Sequence, residues 1–311
     1  MANTITAIAS RRQLPLGNEI FLDHVGHFVR DAQAANRALA RAGFAPTPVS
    51  IQADKDPATG RLVPTGLGNI TAMFARGYLE VLFKNSDTPL AGEFDAALAH
   101  RAGLRLAAFS VVDAAAARER LADAGFPVRD LVHMQRPVET ENGPDIAAFT
   151  ISRVKAVAMP EGRIQILTHH TESAVWQPRW LSHPNSVCDL IDVVIAVGDI
   201  AEAAQRFARF SGRPATFTPG GALIRLDRGG VYLVSHDQAT EKLPEVPVTS
   251  LPFMIGYALG VESLAAAEAA VDGADLEWRA FEDGIVATFP AELGQGAWVF
   301  VERAKDLPWR R

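Results

Sequence analysis

The residues of this chain with the chemistry to bind or transform a small molecule are few, and they stand on or beside strand-like runs. His24 lies in FLDHVGHFVRD, Phe21 to Asp31, an alternating stretch that leads directly into a helix-forming segment. Alternation puts Val25, His27 and Val29 on one face and His24, Gly26 and Phe28 on the other. His27 shares the apolar side and reads as a buried, hydrogen-bonded histidine, whereas His24 faces away from it. Glu80 is flanked by Leu79, Val81 and Leu82 in a run that should be a central strand. A carboxylate buried there is costly unless a metal ion, an imidazolium or a strong donor accompanies it. The plain form of that company is a hydrogen-bonded His24 and Glu80 in a metal-free pocket.

His169 and His170 follow another strand-like run, RIQILT, and their adjacency turns the two rings to opposite sides. His169 is the candidate acid/base group at a pocket mouth, and His170 reads as a solvated strand end. His133 and His236 read as structural. Arg76, Arg153 and Lys155 lie near strands that could wall a cavity and hold an anionic substrate, although the plain reading of each is a solvated face. No nucleophile elbow, phosphate loop or dinucleotide fingerprint occurs, and Gly66-Leu67-Gly68 is too short a glycine signal for phosphate binding.

The elements that must position these residues come as a repeat. The first strand runs into the Ala- and Arg-rich segment Ala32 to Ala42, which Gly43 should end in a left-handed cap. A second copy, Leu106 to Phe126, sets Asp113 where Asp31 stood and Gly125-Phe126 where Gly43-Phe44 stood, an offset of about 82 residues. A third copy spans Leu190 to Gly212 with Asp199 at its junction, and a weaker fourth spans Phe253 to Ala274. Three strands are expected after each helix. In the first unit these are Thr47 to Ala53, Ile70 to Ala75 and Tyr78 to Phe83, with Asp54 to Gly68 (Pro57, Gly60, Pro64, Gly66, Gly68) as a long loop. In the second they are Val128 to Met134, Ala147 to Val157 and Arg163 to Thr168, interrupted by the polar run Glu139 to Asp145. Short Gly-rich links in the third and fourth units read as hairpin turns.

Thr171 to Val187, with its prolines and two tryptophans, reads as an ordered connector. The expected division is therefore residues 19–172, a connector at 173–187, and residues 188–303. At 311 residues and a formal net charge of −6, the chain lacks the basic stripe that would follow a phosphate backbone, so nucleic acid is not an expected partner. One cysteine, Cys188, excludes a disulfide framework and a Cys-based zinc site. The segment MANTITAIASRRQLPLGNE has no apolar core behind a basic start, and no run of roughly 18 apolar residues occurs, so a cytoplasmic protein without membrane partners is expected.

A βαβββ unit repeated in pairs, opening on LDHVGHFV and closing on GYLEVLF, resembles the vicinal oxygen chelate superfamily and its glyoxalase-like branch in particular. The resemblance runs from Glu19 to Arg303 and includes GLGNITAMFARGYLEVLF and the connector VWQPRWLSHPN. It implies an α+β fold in which four modules pair into two half-barrel domains. It also implies a divalent metal, Fe, Mn, Zn, Co or Ni, held by residues of the first and last strand of each module. Carried over position by position, the ligands fall on His24 and Glu80 in the first module, and on Leu106, which cannot bind metal, and Gln165 in the second. His169 is a further ligand candidate, and with Glu80 it forms the expected catalytic pair. The later modules offer Asp192, Leu233, Gly256 and Phe300, so a metal belongs to the first half. The second half is then a structural partner or a dimerisation element, with a homodimer as the corresponding assembly.

The function implied is a metal-dependent enzyme, of the lyase/isomerase or ring-cleaving dioxygenase type, acting on a small oxygenated metabolite. The alternative is a metal-free protein that binds or sequesters a small molecule, like the bleomycin-resistance members of the superfamily. The weak ligand positions Leu106 and Gln165 favour that alternative.

Overall fold

The computed structural model describes residues 12–56 and 58–311. The beginning of the segment read above for a leader, and Pro57 of the expected loop, lie outside the described residues. Four βαβββ modules follow one another. The first is β1 (Phe21–Phe28), α1 (Ala32–Arg41), β2 (Ser50–Lys55), β3 (Leu62–Met73) and β4 (Tyr78–Lys84). After a helix outside the repeat, α2 (Pro89–His100), come β5 (Gly103–Ser110), α3 (Ala114–Asp123), β6 (Val132–Thr140), β7 (Gly143–Arg153) and β8 (Arg163–His169). A short helix, α4 (Glu172–Val175), opens the connector. The third module is β9 (Val187–Ala196), α5 (Ile200–Ser211), β10 (Ala215–Thr218), β11 (Gly221–Arg225) and β12 (Gly230–Val234). The helix α6 (His236–Lys242) precedes the fourth, β13 (Phe253–Val261), α7 (Leu264–Gly273), β14 (Trp278–Phe281), β15 (Gly284–Thr288) and β16 (Ala297–Val301).

The strand-to-helix junctions share one physical cause. Asp31, Asp113, Asp199 and Ser263 each accept a hydrogen bond from a backbone N–H of the first helical turn, satisfying a donor the helix itself leaves open. At the far end of α1, Gly43 takes the left-handed conformation and the Phe44 N–H returns to the Leu39 carbonyl at 3.0 Å. The helix α2 carries its own signals, Thr88 as cap and Pro89 at the first helical position.

The first two modules close completely, in the order β1-β4-β3-β2-β6-β7-β8-β5 and back to β1. A half-barrel was expected. Closure comes from the long hairpins, because β3 and β7 extend through segments read as loop or polar interruption. The run Asp54 to Gly68 is largely a β2–β3 hairpin, and Glu139 to Asp145 is the tip of β6–β7, paired up to Thr140 and Gly143. These tips are polar because they are solvated, while their backbones still pair. They curl far enough for β2 to meet β6 at Ala53–Gln135 and Asp54–Met134. The third and fourth modules form an open sheet, β10-β11-β12-β9-β13-β16-β15-β14, whose edge strands β10 and β14 have four residues each.

The two sheets share one core, which runs from Val25 of β1 and Leu39 of α1 to Val193 and Ile195 of β9 and Phe207 of α5. His27 lies in the seam between them. Its Nδ1 is 2.8 Å from the Leu293 carbonyl, and its Nε2 is 3.1 Å from the Tyr257 hydroxyl. Burial lowers its pKa to about 4, so the ring is neutral at pH 7. Among the described residues, no helix is long and apolar enough to cross a membrane.

Candidate ligand-binding site

Strand β1 brings chemistry into the barrel through an irregularity. Its register against β5 shifts between Leu22 and His24, so Asp23 has no opposite residue and the strand bulges there. On a regular strand Asp23 and His24 would point to opposite faces. Here the Asp23 carboxylate, fully buried at 0 % exposure, turns beside its neighbour, with Oδ1 2.8 Å from His24 Nδ1. Its Oδ2 lies 2.9 Å from Nε2 of His169, at the end of β8. Burial alone would raise the Asp23 pKa, but His169 and His24 outweigh it and hold the carboxyl well below its usual range. An ionised Asp23 only accepts, so each imidazole donates to it. The loop between β3 and β4 fits against this bulge: Gly77 has φ +76°, and a Cβ there would meet the Asp23 carbonyl at 2.8 Å.

Glu80, on β4, faces the same interior. Its Oε1 accepts from Asn69 Nδ2 at 2.6 Å and from Gln52 Nε2 at 3.3 Å, and its Oε2 is 3.6 Å from His24 Nε2. Tyr78 stacks on the His24 ring with centroids 4.4 Å apart. Burial raises the Tyr78 pKa well above its usual value, with the charges of Asp23 and Glu80 adding to the effect, so its hydroxyl stays neutral.

His24, Glu80 and Gln165 line one cavity inside the barrel, together with Arg136, Arg153 and Arg163. His169 does not line it; it is linked to His24 through Asp23, and its ring packs against Phe149 of the cavity wall at 4.9 Å and against the connector residue Trp176 at 4.7 Å. Its Nδ1 is buried and has no hydrogen-bond partner among the described residues. The cavity volume is about 20 Å³, room for a water molecule or two. More space lies at the two ends. A groove of about 270 Å³ runs between β2, β6 and the connector, lined by Val49, Val138, Val175, Trp180 and Arg136. A pocket of about 180 Å³ opens at the opposite end beside α2, and Arg153 and Arg163 line both it and the central cavity.

Arg136 therefore stands between the central cavity and the groove. It is 7 % exposed, and no described residue accepts a hydrogen bond from its guanidinium. Burial lowers its pKa, and the nearby Tyr78 and Glu80 oppose that shift.

The donor set does not fit a divalent metal. The Gln165 amide oxygen already accepts from Arg153 Nε at 3.2 Å, and Leu106 occupies the remaining position. His24 Nε2 and Glu80 Oε2 are left as two donors, fewer than the three protein ligands of a usual catalytic site, with three guanidinium groups on the same walls. Among the described residues, no three His, Cys, Asp or Glu side chains converge as a metal would require.

The second sheet uses its corresponding positions otherwise. Asp192, in the first strand of the third module, accepts from Trp309 Nε1 at 2.8 Å and from Arg310 Nε and Nη2 at 2.7 and 2.6 Å. Trp309 stacks on Tyr232 with centroids 4.9 Å apart and fills part of this face, beside a pocket of about 230 Å³ lined by Arg279, Val286, Val299 and Trp309.

Sequence reasoning had no ground to select Asp23, Arg136 or Arg163. The LDH sequence gives no sign of a bulge, and two of these residues acquire meaning only when β6 and β8 curl round to face β1 and β4.

Paired βαβββ modules with a polar barrel interior define a protein of the vicinal oxygen chelate superfamily. Within it, the sequence profile of the Glyoxalase-like domain family matches residues 22–211, and the chain belongs to that family. No curated protein matches the chain significantly. Among solved structures it is similar to a hypothetical protein from Staphylococcus aureus, at 8% identity over 90% of this chain and 98% of that one, with a TM-score of 0.61. It is also similar to the Mn(II)-bound glyoxalase from Novosphingobium aromaticivorans, at 12% identity over 91% and 81% of the two chains, with a TM-score of 0.53. A mutant of 4-hydroxymandelate synthase from Streptomyces coelicolor aligns at 15% identity over 91% and 92%, with a TM-score of 0.52. At these identities the likeness concerns the fold.

Proposed function

We propose that this glyoxalase-like protein binds a small oxygenated carboxylate directly, through guanidinium groups, without a chelated metal ion. The observation that carries the reading is Arg136, a buried cation with no protein acceptor among the described residues, which lines both the connector-side groove and the central cavity. A buried guanidinium without a partner is costly, and a bound carboxylate relieves that cost with paired charge-assisted hydrogen bonds. The ligand's apolar body lies in the groove against Val138, Val175 and Trp180, and its carboxylate reaches Arg136. The groove's volume, about 270 Å³, suits a molecule with a single ring or a short chain.

The pair His24 and Glu80 then faces the ligand's oxygenated end. Asn69 and Gln52 hold one Glu80 oxygen, leaving Oε2 toward His24 Nε2. Asp23 fixes the His24 ring through Nδ1, so Nε2 and Oε2 are the atoms placed to accept or return a proton. His169 acts through Asp23 as a positioning residue. The second sheet is a structural partner in this reading, since Asp192, at its position corresponding to the first-strand site residue, is held by Trp309 and Arg310.

The test is calorimetric titration of the protein in chelator with a panel of aryl and short alkyl carboxylates, repeated with Arg136→Met. Binding without metal that is lost in the variant supports the proposal. Binding that appears only when Mn²⁺ is restored, and vanishes in His24→Ala, rejects it in favour of a metal centre.

A further inference from the structure

The pocket at the other end of the barrel is unlike the groove. Its walls carry four guanidinium groups, from Arg105 of β5, Arg129 after α3, Arg153 of β7 and Arg163 of β8. A single carboxylate, Glu93 of α2, stands among them and pairs with Arg129, whose Nη1 is 3.0 Å from both of its oxygens. Arg153 spends Nε on Gln165, which leaves its terminal nitrogens for another acceptor. Arg105 makes one long contact, 3.5 Å to the Arg101 carbonyl. Arg163 lies over the Phe28 ring at 4.9 Å, and no described residue accepts a hydrogen bond from it. Burial, followed by repulsion from Arg153, pushes its pKa down to about 9, which still leaves it charged at neutral pH.

This positive excess sits in a chain whose net charge is −6, so it is a local arrangement and not a property of the composition. Cations crowded into a partly buried pocket repel one another unless an anion shares them. One carboxylate satisfies one guanidinium fork. A tetrahedral oxyanion offers acceptors in several directions to donors arriving from different strands, and its second charge offsets a second cation.

We propose that this pocket, lined by Arg105, Arg129, Arg153 and Arg163, is a binding site for a phosphate-type dianion, distinct from the carboxylate site at Arg136. Its volume of about 180 Å³ holds the phosphate group with a small substituent, and Phe28, Leu90 and Ala97 supply an apolar side for that substituent. The site shares no lining residue with the connector-side groove, while Arg153 and Arg163 also line the central cavity, so the test must tell the two sites apart through Arg136, which lines the groove and the cavity but not this pocket.

The experiment is titration of the full chain at constant ionic strength with inorganic phosphate and with phenyl phosphate, using chloride as the control anion. Both phosphates should bind, and tighter binding of phenyl phosphate would identify an ester as the ligand, whereas equal binding would identify free phosphate. Arg163→Met and Arg105→Met should each weaken binding by about tenfold or more, since each removes a charge-assisted donor. Glu93→Gln should strengthen it by freeing Arg129, a gain that a damaged fold would not give. Arg136→Met should leave it unchanged while abolishing carboxylate binding in the groove. Absence of phosphate binding, indifference to Arg163→Met, or equal loss in Arg136→Met would overturn the proposal; the last would mean one shared site.

Discussion

The Asp23 carboxylate joins two histidines from different modules, with Oδ1 2.8 Å from His24 Nδ1 and Oδ2 2.9 Å from His169 Nε2. All three groups are buried, so the arrangement is both a link between β1 and β8 and the device that orients His24. Asp23→Asn replaces an acceptor by an amide that can accept from only one ring. The variant should lose on the order of 3 kcal/mol in urea denaturation. A loss below about 1 kcal/mol would mean that the two rings find other acceptors.

Arg136→Met should behave in the opposite way. Removing a buried guanidinium that no described residue accepts from should leave stability unchanged or raise it by about 1–2 kcal/mol, while carboxylate binding disappears. Denaturation and titration on the same preparation check both halves. Marked destabilisation would show that Arg136 has a structural role.

Glu80→Gln separates a metal ligand from a hydrogen-bonded wall. Asn69 can still donate to the amide oxygen, and a like charge near the bound carboxylate is removed. Carboxylate affinity should stay within about threefold of the parent or improve. If it falls more than about tenfold, the ionised carboxylate is needed for binding.

Acid should destabilise the fold in a defined window. Burial depresses His27 from 6.5 to about 4, so below pH 6.5 the unfolded chain takes up a proton that the folded chain refuses. The stabilisation is complete above the unfolded value and is lost as pH falls toward 4, amounting to on the order of 3 kcal/mol. Asp23, whose pKa is also depressed in the fold, continues the decline at lower pH. Replacing His27 with Gln should flatten the profile between pH 6.5 and 4, as measured by denaturation at a series of pH values.

Arg310→Met should cost the second sheet on the order of 3 kcal/mol, because it leaves the Asp192 carboxylate buried with Trp309 as its remaining donor. The double variant with Asp192→Asn should recover part of that loss. Failure to recover would place the effect in the packing of the arginine stem instead of the ion pair.

The modules themselves are legible in the sequence because their causes are local. Strand alternation, an Asp or Ser cap at each junction and a left-handed glycine after α1 act over a few residues, so Asp31, Asp113 and Asp199 mark helix starts from the residue order alone. His27 is legible for the same reason, as a histidine on an apolar face that must find hydrogen bonds. The helix α2 is written locally too, in Thr88 and Pro89, but it belongs to no repeat, so the repeat does not predict it. Tertiary structure alone decided closure of the barrel, since pairing of β2 with β6 depends on how far two hairpins curl. It also decided the electrostatic character of the interior. Arg136, Arg153 and Arg163 lie on three different strands, and they come to line one cavity with His24 and Glu80 only when the barrel closes.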